Sequence, residues 1–291
     1  MKSNFYRKML SLDNSKMMLF YFIIAGLDFF QAFPHLQIPI TSMIDWIYSQ
    51  QSFTDKYGGF RGGPYLGFDF HCSSLDLDFS SDNDFDKGHL VHTYSALISL
   101  KLLGDDFSRV RKPNIFNYIK KCQNEDGSFK ATIDSNESDL RFLYSACVIC
   151  YLLEDFSAIN THSALAFIFN CQNNDGAFGL RPKEESHSGA TYCSLAALAL
   201  LGKLEDIPNK TKLIEFLVNR QVPWDVNREK GCIGGFQGRI NKYPDSCYSF
   251  WNGASLKILG FDRFINKESV QAYILNCQEP QKVRKKKIFR A

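Results

Sequence analysis

Residues 121–129 read KCQNEDGSF, and residues 170–178 read NCQNNDGAF. The same block therefore returns after 49 residues, measured from Gln123 to Gln172. Another 49 leads to Gln221, and 57 more lead to Gln278; a divergent first copy is Gln51 with Gly59 and Phe60. A period of this length marks an array of repeated supersecondary units. Between the blocks lie helical stretches of one type: HTYSALISLKLLG (92–104), LRFLYSACVICYLLE (140–154), ATYCSLAALALLG (190–202) and CYSFWNGASLKILG (247–260). These are apolar nearly all round, which predicts burial on every side. The second helix of each unit, over 114–122 or 212–221, is more polar and amphipathic. A ring of buried helices inside a ring of amphipathic ones satisfies both patterns. No strand pattern interrupts them. The predicted fold is all-α, a double-layered helical barrel (an α/α toroid) of repeated hairpins.

The repeated Gln…Asp-Gly…Phe block reads as structure. Asp-Gly suits a turn with φ above zero, Gln can bond loop backbone, and Phe anchors the loop in the core. Two insertions break the period, at 62–87 and 224–233, and both read as surface loops. Composition sets the remaining bounds. The chain has 291 residues, 45% of them apolar, and a net charge of +3, too small to argue for nucleic acid. The basic run Lys282, Arg284, Lys285, Lys286 and Lys287 reads as a solvated tail. The nine cysteines form no secreted disulfide framework, so a reducing cytoplasm is expected. Cys147 and Cys150 form a C-x-x-C inside a helix and read as packing. The apolar run Met17–Leu27 is 11 residues, well short of the roughly 20 a membrane span needs, and reads as a core helix.

One stretch carries chemistry: GGFQGRINKYPDSCYSFW (234–251). Arg239 and Lys242 precede an acid and a thiol, Asp245 and Cys247. A helix from Tyr248 to Leu259 follows, with Asp245 as its N-cap and Gly260 as its stop. A helix N-terminus attracts anions, and two nearby cations add to it. Carboxylate and thiolate are also both zinc donors, but two donors make no closed site.

The repeats together with GRINKYPDSCYSFW, GGFRGGPYLG (58–67), GHLVHTYSALISLKLLGDDFSRV (88–110), SDLRFLYSACVICYLL (138–153) and ESHSGATYCSLAALALLGKLE (185–205) resemble the β subunits of protein prenyltransferases, most of all type I geranylgeranyltransferase. The resemblance covers residues 15–278 and divides the chain into a barrel domain, 1–280, and a basic tail, 281–291. It implies a heterodimer with a helical-repeat α subunit, Zn²⁺, geranylgeranyl diphosphate as co-substrate and proteins with a C-terminal CaaX motif, such as small GTPases, as acceptors. By the same resemblance Asp245 and Cys247 are zinc ligands. His187, Arg239, Lys242 and Tyr248 hold the diphosphate, and Arg141 lines the cavity near lipid and acceptor. Asp245, Cys247 and Tyr248 are the catalytic set. Met18 stands where farnesyl enzymes carry Trp, which is compatible with the longer lipid.

The family's third zinc ligand is a histidine in a further repeat. Here the pattern stops after Glu279, and no histidine follows His187. A chain ending there is expected to lack its last hairpin, to hold zinc and prenyl diphosphate weakly, and to transfer little. Three functions follow: the catalytic β subunit; a truncated β subunit that binds α or lipid without turnover; and a Rab-type β subunit, which shares the PD-x-CYS stretch. His187, Arg239, Lys242 and Tyr248 are expected to converge on one spot.

Overall fold

The computed structural model describes residues 13–35, 39–52, 57–64, 87–223 and 234–278. Most of both insertions (65–86 and 224–233) and the tail 281–291 lie outside them. Ten α-helices are described: α1 Lys16–Phe29, α2 Ile40–Ser49, α3 Leu90–Leu102, α4 Lys112–Cys122, α5 Leu140–Leu152, α6 Thr161–Asn170, α7 Ser188–Leu200, α8 Lys210–Val218, α9 Ser246–Leu259 and α10 Lys267–Cys277. Pairing of strand type is confined, among the described residues, to isolated bridges. The chain divides into two compact units after Ile168.

Four of these bridges are the repeat itself. Gln51 pairs with Phe60, Gln123 with Phe129, Gln172 with Phe178 and Gln221 with Phe236. The four phenylalanines are at most 1% exposed. In the two Asp-Gly copies the aspartate accepts an N–H two residues on, from Ser128 and from Ala177. The glycines then take φ of +89° at Gly127 and +85° at Gly176, a conformation that side chains with a Cβ rarely adopt. Three of the glutamines also clamp the next amphipathic helix. The Gln123 amide donates to Asn160 O and accepts from Asn160 N–H, just before α6. Gln51 holds the backbone at Arg109 and Arg111 before α4, and Gln221 holds Asn266 before α10. The motif is thus a splice between consecutive hairpins. Its glutamine satisfies backbone groups that a helix start leaves unpaired.

In the first unit α3 packs against α1 and against α5. Helices α3, α5 and α7 bury most of their circumference, but each keeps one unburied line, Val91–Tyr94–Ile98, Arg141–Tyr144–Val148–Tyr151 and Gly189–Tyr192–Ala199, so burial on every side, expected from their uniform apolarity, is not met. Cys147 and Cys150 are buried within α5, and burial pushes both thiols up, Cys150 to about 12. They are packing residues.

Two further helices depart more strongly. α1 buries only Met17 and Ile24, while Phe22, Ile23, Phe29 and Phe30 are 57–80% exposed. The run Met17–Leu27 is therefore not a core helix, because only one line of it meets α3. α9 buries Asn252, Ser255 and Leu256, and Phe250 is exposed. Its packing against α7 and α8 covers one side. An apolar cleft of about 380 Å³, lined by residues such as Phe236, Ile265, Val270 and Leu275, opens beside α10. No described helix is long and apolar enough to cross a membrane.

Candidate functional site

The four apolar helices begin in the same way. His89, Asp139, His187 and Asp245 are the N-caps of α3, α5, α7 and α9. Each is extended, and each side chain accepts the N–H of the second residue on: Val91, Arg141, Gly189 and Cys247. Asn, Asp, Ser and Thr are the usual caps, so two histidines in this series are unusual. Asp245 and Gly260 bound α9 as the sequence predicts, with Gly260 at φ +79°.

The second unit brings three of the four expected anion-site residues together. His187 Nε2 lies 3.1 Å from Tyr248 Oη, and their rings meet edge to face at 5.5 Å. Capping settles the tautomer. His187 Nδ1 accepts from Gly189 N–H at 3.0 Å, so the neutral ring carries its proton on Nε2 and donates it to Tyr248. The Tyr248 hydroxyl hydrogen is then left for another acceptor. Burial, and after it the charge of Arg239, push the His187 pKa down, which keeps the ring neutral. Burial raises the Tyr248 pKa, as do Cys247 and Asp245, while Arg239 opposes them. Lys242 sits on the same loop, exposed, with no hydrogen bond or ion pair from its ammonium among the described residues.

The loop carrying Arg239 is fastened from beneath. Ser188 N–H donates to Gly238 O at 2.9 Å, and the buried Ser188 hydroxyl donates to Asn252 Oδ1 at 2.9 Å. Asn252 Nδ2 donates to Gln237 O. Sequence reasoning missed Ser188, Gly238 and Asn252, since each is an unremarkable residue until α7 and α9 meet. Gly238 lies flat against the Tyr248 ring, and a Cβ there would overlap its ring carbons and hydroxyl. Gly238→Ala is expected to push Tyr248 away from His187. The cost is roughly 1–3 kcal/mol of stability, with activity lost at an unchanged α-helical content. Retention of wild-type turnover and melting temperature in that variant would refute the packing argument.

Asp245 and Cys247 are both exposed at the start of α9. Burial of its surroundings and a hydrogen bond to Asp245 raise the Cys247 thiol to about 11, so the thiol stays protonated at neutral pH unless a metal takes the proton's place. The donor chemistry is that of a zinc ligand pair. Among the described residues, however, no group of three or more His, Cys, Asp or Glu side chains lies close enough to hold a metal ion. The described residues thus fit zinc in kind and supply two donors.

Arg141 lies in the first unit. It grips its own cap, Asp139, through Nε and Nη2, and reaches Glu137 at 2.6 Å. Asp139 is buried and Arg141 is half-exposed.

The prenyltransferase alpha-alpha toroid domain matches residues 1–286. This chain belongs to that prenyltransferase family. It is 37% identical over 271 residues to the geranylgeranyl transferase type-1 subunit beta of Dictyostelium discoideum, covering 89% of this chain and 74% of the relative. The Arabidopsis thaliana protein of the same name is 36% identical, over 92% of this chain and 72% of its own length. The solved Candida albicans protein geranylgeranyltransferase-I complexed with GGPP superposes with a TM-score of 0.81 at 27% identity. That match covers 94% of this chain and 78% of that one. The α/α toroid expected from the repeats is therefore the fold of this prenyltransferase. The ten helices are its hairpins, and the Gln–Phe bridges join them.

Proposed function

We propose that this chain is the β subunit of a type I protein geranylgeranyltransferase. It would transfer a geranylgeranyl group from its diphosphate to the cysteine of a CaaX motif, in the cytoplasm, as a heterodimer with an α subunit. One observation supports this above the others. His187, Arg239 and Tyr248, from segments up to 61 residues apart, come together, with His187 hydrogen-bonded to Tyr248 and the charge of Arg239 acting on both. Relatives named for this reaction, and a structural neighbour complexed with GGPP, support the choice of ligand. The exposed aromatics of α1 support a protein partner, since apolar patches of that kind mark interaction surfaces.

In this reading Arg239 and Lys242 place positive charge where negative charge builds on the departing diphosphate oxygen. His187 holds Tyr248 so that the phenol donates its proton toward the departing oxygen. Arg141, fixed by Asp139 and Glu137, presents its remaining face toward lipid and acceptor. Asp245 and Cys247 are two ligands of Zn²⁺, and a further ligand comes from outside the described residues. Zinc, when bound, keeps an acceptor thiol as thiolate at neutral pH. Because the described residues supply two donors, a second reading stands beside the first: a β subunit that binds diphosphate or α without turnover.

Both readings meet one experiment. The chain is co-expressed with an α subunit, and zinc content, geranylgeranyl diphosphate binding and transfer to a CaaX peptide are measured, with intact Rab protein as the alternative acceptor. Zinc-dependent transfer to the peptide supports the first reading. Binding without transfer supports the second. Transfer to Rab protein alone, or no binding at all, would sink both.

A further inference from the structure

Arg239 is not waiting free. Its Nη1 donates to Glu185 Oε2 at 2.8 Å, across 54 residues of sequence. Glu185 stands two residues before His187, and its charge and that of Arg239 act on His187 in opposite directions. The backbone beneath Glu185 is fixed. Asn173 Nδ2 donates to Glu184 O and to Ser186 Oγ, Ser186 Oγ donates to Asp175, and His187 N–H donates to Phe178 O. The carboxylate is therefore delivered to Arg239 from a pinned loop, beside the His187–Tyr248 pair.

Two roles are open to such a carboxylate, and charge decides between them. As a brace for Arg239 it would contribute little. Both partners are substantially exposed, at 40% and 59%, and exposed ion pairs hold their geometry weakly. As a competitor it acts strongly. Any phosphate that reaches Arg239 comes within a few ångströms of a like charge, and the repulsion scales with the several charges of a diphosphate. We propose that Glu185 is a resident counter-ion that competes with the diphosphate for Arg239. The proposal rests on the reading of His187, Arg239 and Tyr248 as a diphosphate site. Its use is release: after each turnover pyrophosphate must leave, and a carboxylate ready to take the cation back lowers the barrier to its departure.

The test titrates the full 291-residue chain with inorganic pyrophosphate by calorimetry, for wild type, Glu185→Gln, Arg239→Gln and the double variant. Glu185→Gln is expected to bind about five- to tenfold more tightly. Arg239→Gln is expected to weaken binding, and in its background the Glu185 change should lose most of its effect. Weaker or unchanged binding in Glu185→Gln, with Arg239 still required, would overturn the competitor role and leave the diphosphate site standing. Binding that is absent, or indifferent to Arg239, would overturn the site reading and this proposal with it.

Discussion

Arg239→Gln is expected to lower both the affinity for geranylgeranyl diphosphate and the rate of transfer about a hundredfold, or roughly 3 kcal/mol of transition-state stabilisation. The reasoning is electrostatic. Arg239 is the cation whose field reaches both His187 and Tyr248. Lys242 stands exposed on the same loop, where water screens it. Removing Arg239 leaves the Tyr248 hydroxyl as the neutral donor of this group, and the charge freed as the diphosphate departs then has no fixed cation beside it. Folding should survive. The anchors of the loop are backbone groups of Gln237 and Gly238 held by Ser188 and Asn252, and the guanidinium holds none of them. A variant with full activity and an unchanged melting temperature would remove Arg239 from the site.

Acidification is expected to unfold the first unit well before the carboxylates of an ordinary helical protein titrate. The rings of His89 and His92 meet at a tilt, their centroids 4.6 Å apart, at the start of α3. Burial lowers His89 to about 4 and His92 to about 3, the latter further depressed by His89. A histidine whose folded pKa is depressed contributes stability that is present above its unfolded pKa, near 6.5, and lost as pH falls toward the folded value. The window here runs from about pH 6.5 down to about 4 for His89 and about 3 for His92. By pH 4 the pair should have removed at least about 3 kcal/mol. Protonation of His89 at Nδ1 also cancels its cap on Val91 N–H. Denaturant midpoints between pH 7 and 4 should fall, and the slope should flatten in His92→Phe. A midpoint independent of pH over that range would contradict the burial of the pair.

What the sequence made legible is what is local. Asp245 and Gly260 bound α9 because capping needs only a few residues on either side. The Gln…Asp-Gly…Phe block was readable as structure because turn chemistry is short-range and the copies repeat it. Apolarity alone misled at Met17–Leu27. It reports what a helix avoids, and it carries no information on how many neighbours surround it. At the site, His187, Arg239 and Tyr248 were traceable through their motif. The Glu185 ion pair was not, because nothing nearby in the chain distinguishes that acid from Glu184. Gly238 was hidden for the same reason, since its role exists only against the Tyr248 ring.

The shared start of α3, α5, α7 and α9 amounts to an interchangeable socket. In each, one atom of an acidic or imidazole side chain is occupied by the helix, and the rest of the group remains for other work. Any repeat can therefore be rekeyed by exchanging a single cap, acid for imidazole or the reverse, while the backbone stays where it is. An ancestral array of identical hairpins could acquire a proton donor at one position and a metal donor at another without a change in architecture. Chemistry in such a chain is assigned repeat by repeat, and the register of the array fixes which assignments face each other.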